Sequence, residues 1–254
     1  MTTDNSRGLL FGSVAESYER FRLGYPDEVV DRTLSYAGGQ VAAAVEVGAG
    51  TGKATRAFAS RGIAVTALEP DPDMFAVLER ETAAMPVTPV QSRYEEYVAG
   101  PVDLLYAASA WHWTDPATRW THAAGLLVDD GVVAVFGSPM RIADPAVQDA
   151  VADALPPTLD DEAFRPHGGD WQRGRPWPAY ELDGSDLFTD VEEHLLAREV
   201  VVPQKEYVGY LSTLSAYLEL PMMEREQVLH LAAGVVPAQV RLDLTVSLCL
   251  ARRT

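Results

Sequence analysis

A glycine-rich segment constrains the fold of this chain more than any other feature. Residues 45–52 read Val-Glu-Val-Gly-Ala-Gly-Thr-Gly, and Glu69 follows seventeen residues after the last glycine. The pattern predicts a buried strand that turns through a tight loop into a helix, followed by a second strand that ends in an acid. Glycines let the backbone approach a ligand, the new helix offers unpaired N–H groups, and such an acid can accept both ribose hydroxyls. We therefore predict that an adenosine-containing cofactor binds at this loop.

The spacing of the glycines separates the classes of nucleotide cofactor. A dinucleotide-binding fingerprint needs glycines at the first, third and sixth positions, but the sixth position counted from Gly48 is Lys53. A lysine would prevent the close packing of helix on strand that the third glycine permits. The Walker pattern also fails, because Gly52-Lys53 is followed by Ala54 instead of serine or threonine. The loop therefore favours neither a nicotinamide dinucleotide nor a nucleoside triphosphate.

The length and composition predict one globular domain in the cytoplasm. A chain of 254 residues can bury a full core as a single elaborated α/β domain. It has no run of about 18 apolar residues, so we expect no membrane span. Residues 1–7 are polar and lack the apolar core of a signal peptide. The single cysteine, Cys249, is compatible with a reducing compartment.

The charge balance argues against a nucleic-acid partner. The chain carries 20 lysines and arginines against 37 acids, a net charge of −17. Its two lysines are Lys53 and Lys205, and the arginines are scattered instead of forming a basic stripe. The five histidines are also dispersed, without an accompanying acid cluster, so we predict no metal site. A small-molecule partner is the expectation that remains.

Strands and helices alternate from residue 41 to residue 138, which is typical of a mainly parallel sheet. The predicted strands are 41–47, 63–68, 87–90, 102–107 and 132–136, and the predicted helices are 52–61, 74–82 and 120–127. Thr51 is predicted to cap the first of these helices.

The flanking segments complete the predicted organisation. Residues 1–40 read as a helical lead-in that covers the sheet, and residues 41–138 as the cofactor-binding core. Residues 139–186 are rich in proline, tryptophan and glycine, and we expect an insertion over the carboxyl edge of the sheet. Residues 187–254 are predicted to hold a strand region at 188–202, helices at 205–218 and 224–233, and one final strand at 239–251.

Two motifs carry a family resemblance. The pattern Glu46-x-Gly48-x-Gly50-x-Gly52 resembles motif I of the class I S-adenosylmethionine-dependent methyltransferases. The N-terminal pattern Phe11-Gly12-x-x-Ala15-x-x-Tyr18, followed by Arg22-x-x-Tyr25-Pro26, is similar to the lid of the trans-aconitate methyltransferase-like small-molecule group. Many members of that group have a proline where this chain has Leu23. The resemblance implies a Rossmann-like seven-stranded sheet, mostly parallel with its last strand antiparallel, with helices on both faces and an N-terminal helical lid.

The resemblance also implies S-adenosylmethionine as the cofactor. In this family the glycine loop holds the amino-acid end of the cofactor, and the acid after the second strand, here Glu69, holds its ribose. Met74 would pack on the adenine ring. For Tyr18, the alternative to cofactor binding is that its side chain only packs the lead-in helix onto the sheet. The implied cofactor-binding residues are Tyr18, Arg22, Glu46, Gly48, Ala49, Gly50, Gly52, Glu69, Pro70, Met74, Arg93, Tyr94, Ala107 and Ala108.

Residues 103–113 resemble the motif IV strand and the loop after it, which leaves the carboxyl edge of the sheet beside the glycine loop. Trp111, His112 and Trp113 would wall the site of the methyl acceptor. His112 is the predicted base, because an imidazole pKa of about 6.5 suits proton removal near neutral pH. The alternative is that His112 only orients the substrate or bonds the lid. The insertion adds His167 and Trp171 as acceptor-binding candidates, unless it is a solvated loop docked on the core.

The sequence thus predicts a bacterial methyltransferase that acts on a small metabolite, in a biosynthetic role. The methyl group of a sulfonium is already activated, so positioning of the acceptor carries most of the chemistry, and a base is needed only for acceptors that arrive protonated. Two alternatives keep the fold and the cofactor site. One is a cyclisation or rearrangement without methyl transfer, and the other is a regulator that binds the cofactor without catalysis.

Overall fold

The computed structural model describes residues 11–39, 41–98, 100–156, 159, 171–172 and 175–254 of the chain. Two helices, α1 (Ala15–Phe21) and α2 (Asp27–Ala37), precede the first strand. Pro26 stands immediately before α2, and Gly38 ends it in the left-handed conformation, with φ of 69°. The predicted helical lead-in is therefore two helices joined by an extended segment.

The central part of the chain alternates as the sequence predicts. In chain order its elements are β1 (Ala43–Val47), α3 (Lys53–Ala59), β2 (Ala64–Leu68), α4 (Pro72–Thr82), β3 (Val87–Val90), β4 (Val102–Ala108), α5 (Arg119–Leu126) and β5 (Leu127–Gly137). The largest difference is in β5, which begins five residues before the predicted strand.

The remaining elements complete the main sheet and, in the described part of the chain, form a three-stranded second sheet and a two-stranded third one. They are β6 (Arg141–Ile142), α6 (Pro145–Ala154), β7 (Trp171–Gln172), β8 (Arg175–Pro176), β9 (Phe188–Leu196), β10 (Glu199–Pro203), α7 (Gln204–Leu211), α8 (Ser215–Leu218), α9 (Met222–Val235), β11 (Gln239–Asp243) and β12 (Val246–Arg253).

The main sheet has seven strands in the order β3-β2-β1-β4-β5-β12-β9. Neighbouring strands from β3 to β5 run parallel, and β12 runs antiparallel to both of its neighbours. This arrangement confirms the predicted Rossmann-like sheet with an antiparallel last strand. Because β4 lies between β1 and β5, the carboxyl ends of these three strands meet at one edge, where ligands bind in open α/β sheets.

Apolar side chains cover both faces of the main sheet. On one face Phe58 of α3 stacks on Tyr106 of β4 with ring centroids 4.1 Å apart, and Phe136 of β5 lies beside them. The other face buries Trp111 and Leu127 with helix α5. Strands buried on both faces explain the nearly continuous apolar runs in the sequence.

The prediction of one final strand at 239–251 is wrong. The segment divides between β11, which belongs to the second sheet, and β12, which belongs to the main sheet. The carboxylate of Asp243 accepts hydrogen bonds from the N–H of Thr245 at 2.8 Å and from its hydroxyl at 2.7 Å, and this local turn interrupts the strand. The alternation of buried residues continues across the turn, so a period of two could not reveal it.

The predicted strand region at 188–202 also divides, into β9 of the main sheet and β10 of the second. The second sheet has the order β10-β11-β6 and packs against helices α6, α7 and α9 around a separate core that includes Tyr207, Tyr210, Tyr217 and Leu242. The predicted helix at 205–218 is likewise two helices, α7 and α8. None of the helices in the described part of the chain combines the length and apolar character that a membrane crossing requires.

Candidate active site

The three glycines of the loop after β1 all adopt left-handed conformations, with φ of 65° at Gly48, 58° at Gly50 and 88° at Gly52. The space around the missing side chain differs between the three positions. A Cβ on Gly48 would lie 2.6 Å from the Cβ of Ala110, and a Cβ on Gly52 would lie 2.8 Å from Cδ1 of Leu78. A Cβ on Gly50 would have no neighbouring atom within 4 Å. Gly48 and Gly52 therefore serve packing within the protein, and Gly50 faces open space.

Glu69 stands at the end of β2 and holds the loop in place. Its Oε2 accepts the N–H of Gly50 at 2.7 Å, and its Oε1 accepts the N–H of Asp71 at 2.9 Å. Each carboxylate oxygen keeps capacity for a further donor. Burial raises the pKa of Glu69 to about 7, against the lowering effect of these backbone hydrogen bonds. Asp71 in turn caps α4 by accepting the N–H groups of Asp73 and Met74.

Glu46, on β1, is a fully buried acid beneath the loop. Its carboxyl group accepts hydrogen bonds from the hydroxyl of Thr55 and, at 3.1 Å, from the hydroxyl of Tyr106. Burial raises its pKa to about 8, although both hydrogen bonds act in the opposite direction. The acid is therefore mostly protonated at neutral pH.

The prediction that Thr51 caps the following helix is wrong. Gly52 occupies the cap position of α3, and no side chain bonds the first turn there. The hydroxyl of Thr51 is shielded from solvent and has no hydrogen-bond partner within the described ranges. Buried polar groups are normally satisfied, so this hydroxyl marks a place where a ligand or an ordered water would fit.

Helix α1 lies over the loop and is held there by charge. The ammonium group of Lys53 donates to the backbone oxygen of Glu19 at 2.6 Å, and the guanidinium of Arg56 lies 2.7 Å from the Glu19 carboxylate. Gly12 lies so close to Asp71 that a Cβ there would overlap the carboxylate. The lid is therefore closed over the ends of β1 and β2.

Arg22, just after α1, joins the lid to the second sheet's helices. Its Nε donates to the hydroxyl of Thr213 at 2.9 Å, and a second nitrogen donates to the backbone oxygen of the same residue. The guanidinium carbon lies 4.9 Å from the ring centre of Tyr18 and 4.7 Å from that of Tyr210.

A pocket opens between the lid, the glycine loop, the carboxyl ends of β4 and β5, and the start of β12. Seven residues that the sequence predicts for the cofactor line it together: Tyr18, Arg22, Glu46, Gly48, Ala49, Gly50 and Ala108.

The other predicted cofactor residues lie elsewhere. Met74, Tyr94 and Ala107 are buried in the core, and the hydroxyl of Tyr94 donates to the backbone oxygen of Arg119 at 2.9 Å. Gly52 ends the loop at the cap position of α3, Glu69 bonds the backbone of the loop, and Pro70 and Arg93 are partly exposed. Contacts of these residues with a cofactor remain predictions.

None of the predicted acceptor residues whose side chains the structure describes, Trp111, His112 and Trp113, lines the pocket. Trp111 is 1% exposed and packs on Tyr94 and Trp120, a placement that favours core packing over contact with an acceptor. His112 is exposed, with its ring 4.4 Å from that of Trp113. His167 lies outside the described residues. Of Trp171, the structure describes only the backbone, in β7.

Several lining residues were not predicted from the sequence. Ser109 directly follows β4, Ser138 directly follows β5, and Leu244 lies just before β12, while Tyr25 comes from the lid and Arg198 from the turn before β10. The two serines carry a signal that could have been used, because polar residues after neighbouring parallel strands meet at one edge of the sheet.

Residues 45–135 match the model of a protein family described as a methyltransferase domain. The match covers a little over a third of the chain. The matched segment runs from β1 into β5, and so it contains the glycine loop, Glu69 and Ser109.

Known proteins with a related sequence or fold carry the name methyltransferase. An uncharacterised methyltransferase from Mycobacterium tuberculosis is 39% identical over 126 residues, which make up 48% of this chain and 49% of that protein. This chain thus matches about half of that relative's length.

Two solved structures share the fold. One is a proposed type II methyltransferase from Anaeromyxobacter dehalogenans, with a TM-score of 0.58 and 21% identity over 91% of this chain and 98% of that one. The other is a phosphoethanolamine N-methyltransferase from Haemonchus contortus in complex with phosphomonomethylethanolamine and S-adenosylhomocysteine. It has a TM-score of 0.55 and 12% identity over 95% of this chain and 57% of that one. At these identities the likeness shows the fold alone.

The raised pKa of Glu46 predicts how stability depends on pH. The folded protein keeps a proton up to pH about 8 that the unfolded chain loses near pH 4.5, the usual value for a glutamic acid. The free energy of unfolding should therefore fall as the pH rises through this window, by up to about 1.4 kcal/mol per pH unit for one proton. Glu69, whose pKa is also raised, should lower the free energy of unfolding in the same way as the pH rises to about 7.

Urea denaturation between pH 5 and pH 8 measures this slope. Glu46→Gln should flatten it, most clearly between pH 7 and pH 8, where Glu69 no longer contributes. Glu96→Gln makes the same chemical change at an exposed position and should leave the slope as in the wild type. Equal slopes in the wild type and Glu46→Gln would contradict the assignment.

Proposed function

We propose that this protein is an S-adenosylmethionine-dependent methyltransferase that acts on a small-molecule metabolite. The observation that carries the proposal is the open face of Gly50 beside the buried carboxylate of Glu69, within residues that match a methyltransferase domain. On the lid pattern from Phe11 to Pro26, we further propose the trans-aconitate methyltransferase-like group.

The residues at this edge of the sheet fit the cofactor. Gly50 leaves room for a ligand against the backbone, and Glu69 has lone pairs left for ribose hydroxyls. The unsatisfied hydroxyl of Thr51 offers a further hydrogen bond. When bound, S-adenosylmethionine supplies a methyl group that is activated by its sulfonium. The chain's own task is then to hold the acceptor in line with that methyl group, and such positioning can supply about 7–11 kcal/mol.

His112 remains the proposed base for acceptors that arrive protonated. It stands three residues after Ser109, in the loop that leaves the pocket, with its ring exposed. An exposed imidazole can take up a proton from an acceptor and pass it to solvent.

The proposed setting is the bacterial cytoplasm and a biosynthetic pathway. The net charge of −17 and the scattered arginines favour a small acceptor over a nucleic acid.

Gly50→Ala separates a role in cofactor binding from a role in stability. Gly50 and Gly62 both have left-handed backbones, with φ of 58° and 82°, and neither has an atom within 4 Å of an added Cβ. Alanine should therefore cost each site a similar amount of stability, about 1–2 kcal/mol. Titration calorimetry with S-adenosylhomocysteine should show at least tenfold weaker binding for Gly50→Ala and wild-type binding for Gly62→Ala. Equal affinities in the two variants would remove Gly50 from the cofactor site.

Glu69→Gln tests the ribose contact. The variant keeps the size of the side chain but loses its charge, and a hydrogen bond to a charged group contributes about 1.5–3 kcal/mol. We expect the affinity for S-adenosylhomocysteine to fall at least tenfold, with Glu96→Gln as the control. Unchanged affinity would contradict the role of Glu69. Stabilisation of the wild type by NAD, but not by S-adenosylhomocysteine, would overturn the cofactor itself.

Release of S-adenosylhomocysteine from S-adenosylmethionine with a panel of small acceptors tests the reaction. Methyl transfer gives this product together with a methylated acceptor. A cyclisation or rearrangement would change the acceptor without transferring a methyl group, and a regulator would bind the cofactor without turnover. In the same assay we expect His112→Ala to lose 10²–10⁴-fold in rate with an alcohol acceptor, the usual range for removal of a general base. A rate near that of the wild type would limit His112 to a structural role.

A further inference from the structure

Two serine hydroxyls lie at the carboxyl ends of β4 and β5. The N–H of Ser109 donates to the backbone oxygen of Phe136 at 2.8 Å, and its Oγ lies 3.1 Å from where a Cβ on Gly137 would be. Ser138 follows Gly137 directly, so the two serines sit on neighbouring strand ends. Both line the pocket described above.

Ser109 holds a conformation that costs energy. Its φ is 55°, a left-handed value that costs an L-residue about 1–2 kcal/mol and that glycine adopts freely. Strain of this kind concentrates at functional sites. Glycine would avoid this cost, but the chain has a serine here and so keeps a hydroxyl group. Its Oγ lies 2.8 Å from the hydroxyl oxygen of Tyr25 in the lid.

Tyr25 is fixed from two directions. Its ring packs edge-on against Phe136 with centroids 4.9 Å apart, and its hydroxyl meets Ser109. Burial raises the pKa of Tyr25 well above its usual range, so the phenol stays protonated at working pH. The lid thus positions the Ser109 hydroxyl with a neutral partner.

Ser138 presents an unsatisfied polar atom. Its Oγ is shielded from solvent and has no hydrogen-bond partner within the part of the chain that the structure describes. Leaving a buried hydroxyl unpaired costs about 1–3 kcal/mol, so a molecule that fills the pocket would gain by supplying a partner.

The surroundings indicate the character of that molecule. Met140, Leu244 and Val246 form an apolar wall on the side of β12, and the strand order places Ser109 between this wall and the glycine loop. The neighbouring cations are engaged within the protein: Arg22 bonds Thr213, and one N–H of Arg198 donates to the backbone oxygen of Gly24 at 2.7 Å.

We propose that the acceptor is a mostly apolar molecule with one neutral hydroxyl group, held by the hydroxyls of Ser138 and Ser109 next to the transferred methyl group. Tyr25 acts as the positioning residue of Ser109. This inference rests on the proposed function, since it takes the cofactor to lie on the glycine-loop side of Ser109.

Four matched probes test the inference without knowledge of the natural acceptor. Benzyl alcohol, toluene, benzoate and benzylamine share a ring and differ in one group, which is neutral and polar, apolar, anionic or cationic. Their affinities for the protein saturated with S-adenosylhomocysteine can be measured by NMR titration. We expect benzyl alcohol to bind about three- to tenfold more tightly than each of the others, the scale of one hydrogen bond.

Variants of Ser138 and Tyr25 test which side chains hold the hydroxyl group of the probe. Ser138→Ala should reduce the affinity for benzyl alcohol to that for toluene and leave toluene unchanged, while Ser60→Ala, at an exposed serine outside the pocket, should change neither. Tyr25→Phe keeps the ring on Phe136 and should lower the ratio of the two affinities. A structural role alone would lower the melting temperature without moving that ratio.

The outcomes separate this inference from the proposed function. Failure of S-adenosylhomocysteine to bind the wild type would overturn both. Tight binding of S-adenosylhomocysteine together with equal affinities for benzyl alcohol and toluene would overturn the hydroxyl site alone. Preference for benzoate would do the same and would assign the acceptor subsite to Arg22 and Arg198.

Discussion

The hydrogen bond from the N–H of Gly50 to the carboxylate of Glu69 joins the ends of β1 and β2 and fixes the shape of the glycine loop. Burying the Glu69 carboxyl group costs free energy, and hydrogen bonds from the backbone N–H groups of Gly50 and Asp71 offset that cost. Because the loop is fixed from behind, Gly50 can present an open face toward the pocket. The proposed fit of the loop to an adenosine cofactor depends on this arrangement.

The central fold could be predicted because its signals are local. The strand Val87–Val90 has the predicted bounds, and the last strand is antiparallel as the family resemblance implies. The turn at Asp243 to Thr245 could not be predicted, because the buried residues alternate through it while the backbone changes from one sheet to another. Alternation reports which side chains are buried, but it does not report against which core they are buried.

The same difference between local signals and long-range packing applies to the site. The loop residues from Gly48 to Gly50, predicted from their spacing to bind the cofactor, line one pocket, and their contact with a cofactor stays a prediction. Trp111 is buried in an apolar core, and the sequence could not reveal this because an aromatic motif after a strand fits either a pocket wall or the interior of the protein. The pairing of Tyr25 with Ser109 joins residues 84 positions apart, and it depends on how the lid docks, which no local pattern encodes.

The ion pairs of Glu19 restrain the movement of α1 away from the glycine loop. The side chain of Lys53 is only 14% exposed, and its ammonium group lies 3.3 Å from the Glu19 carboxylate, so lifting α1 would leave a mostly buried cation without its counter-charge. Any movement of α1 away from the glycine loop would therefore have to separate these charges.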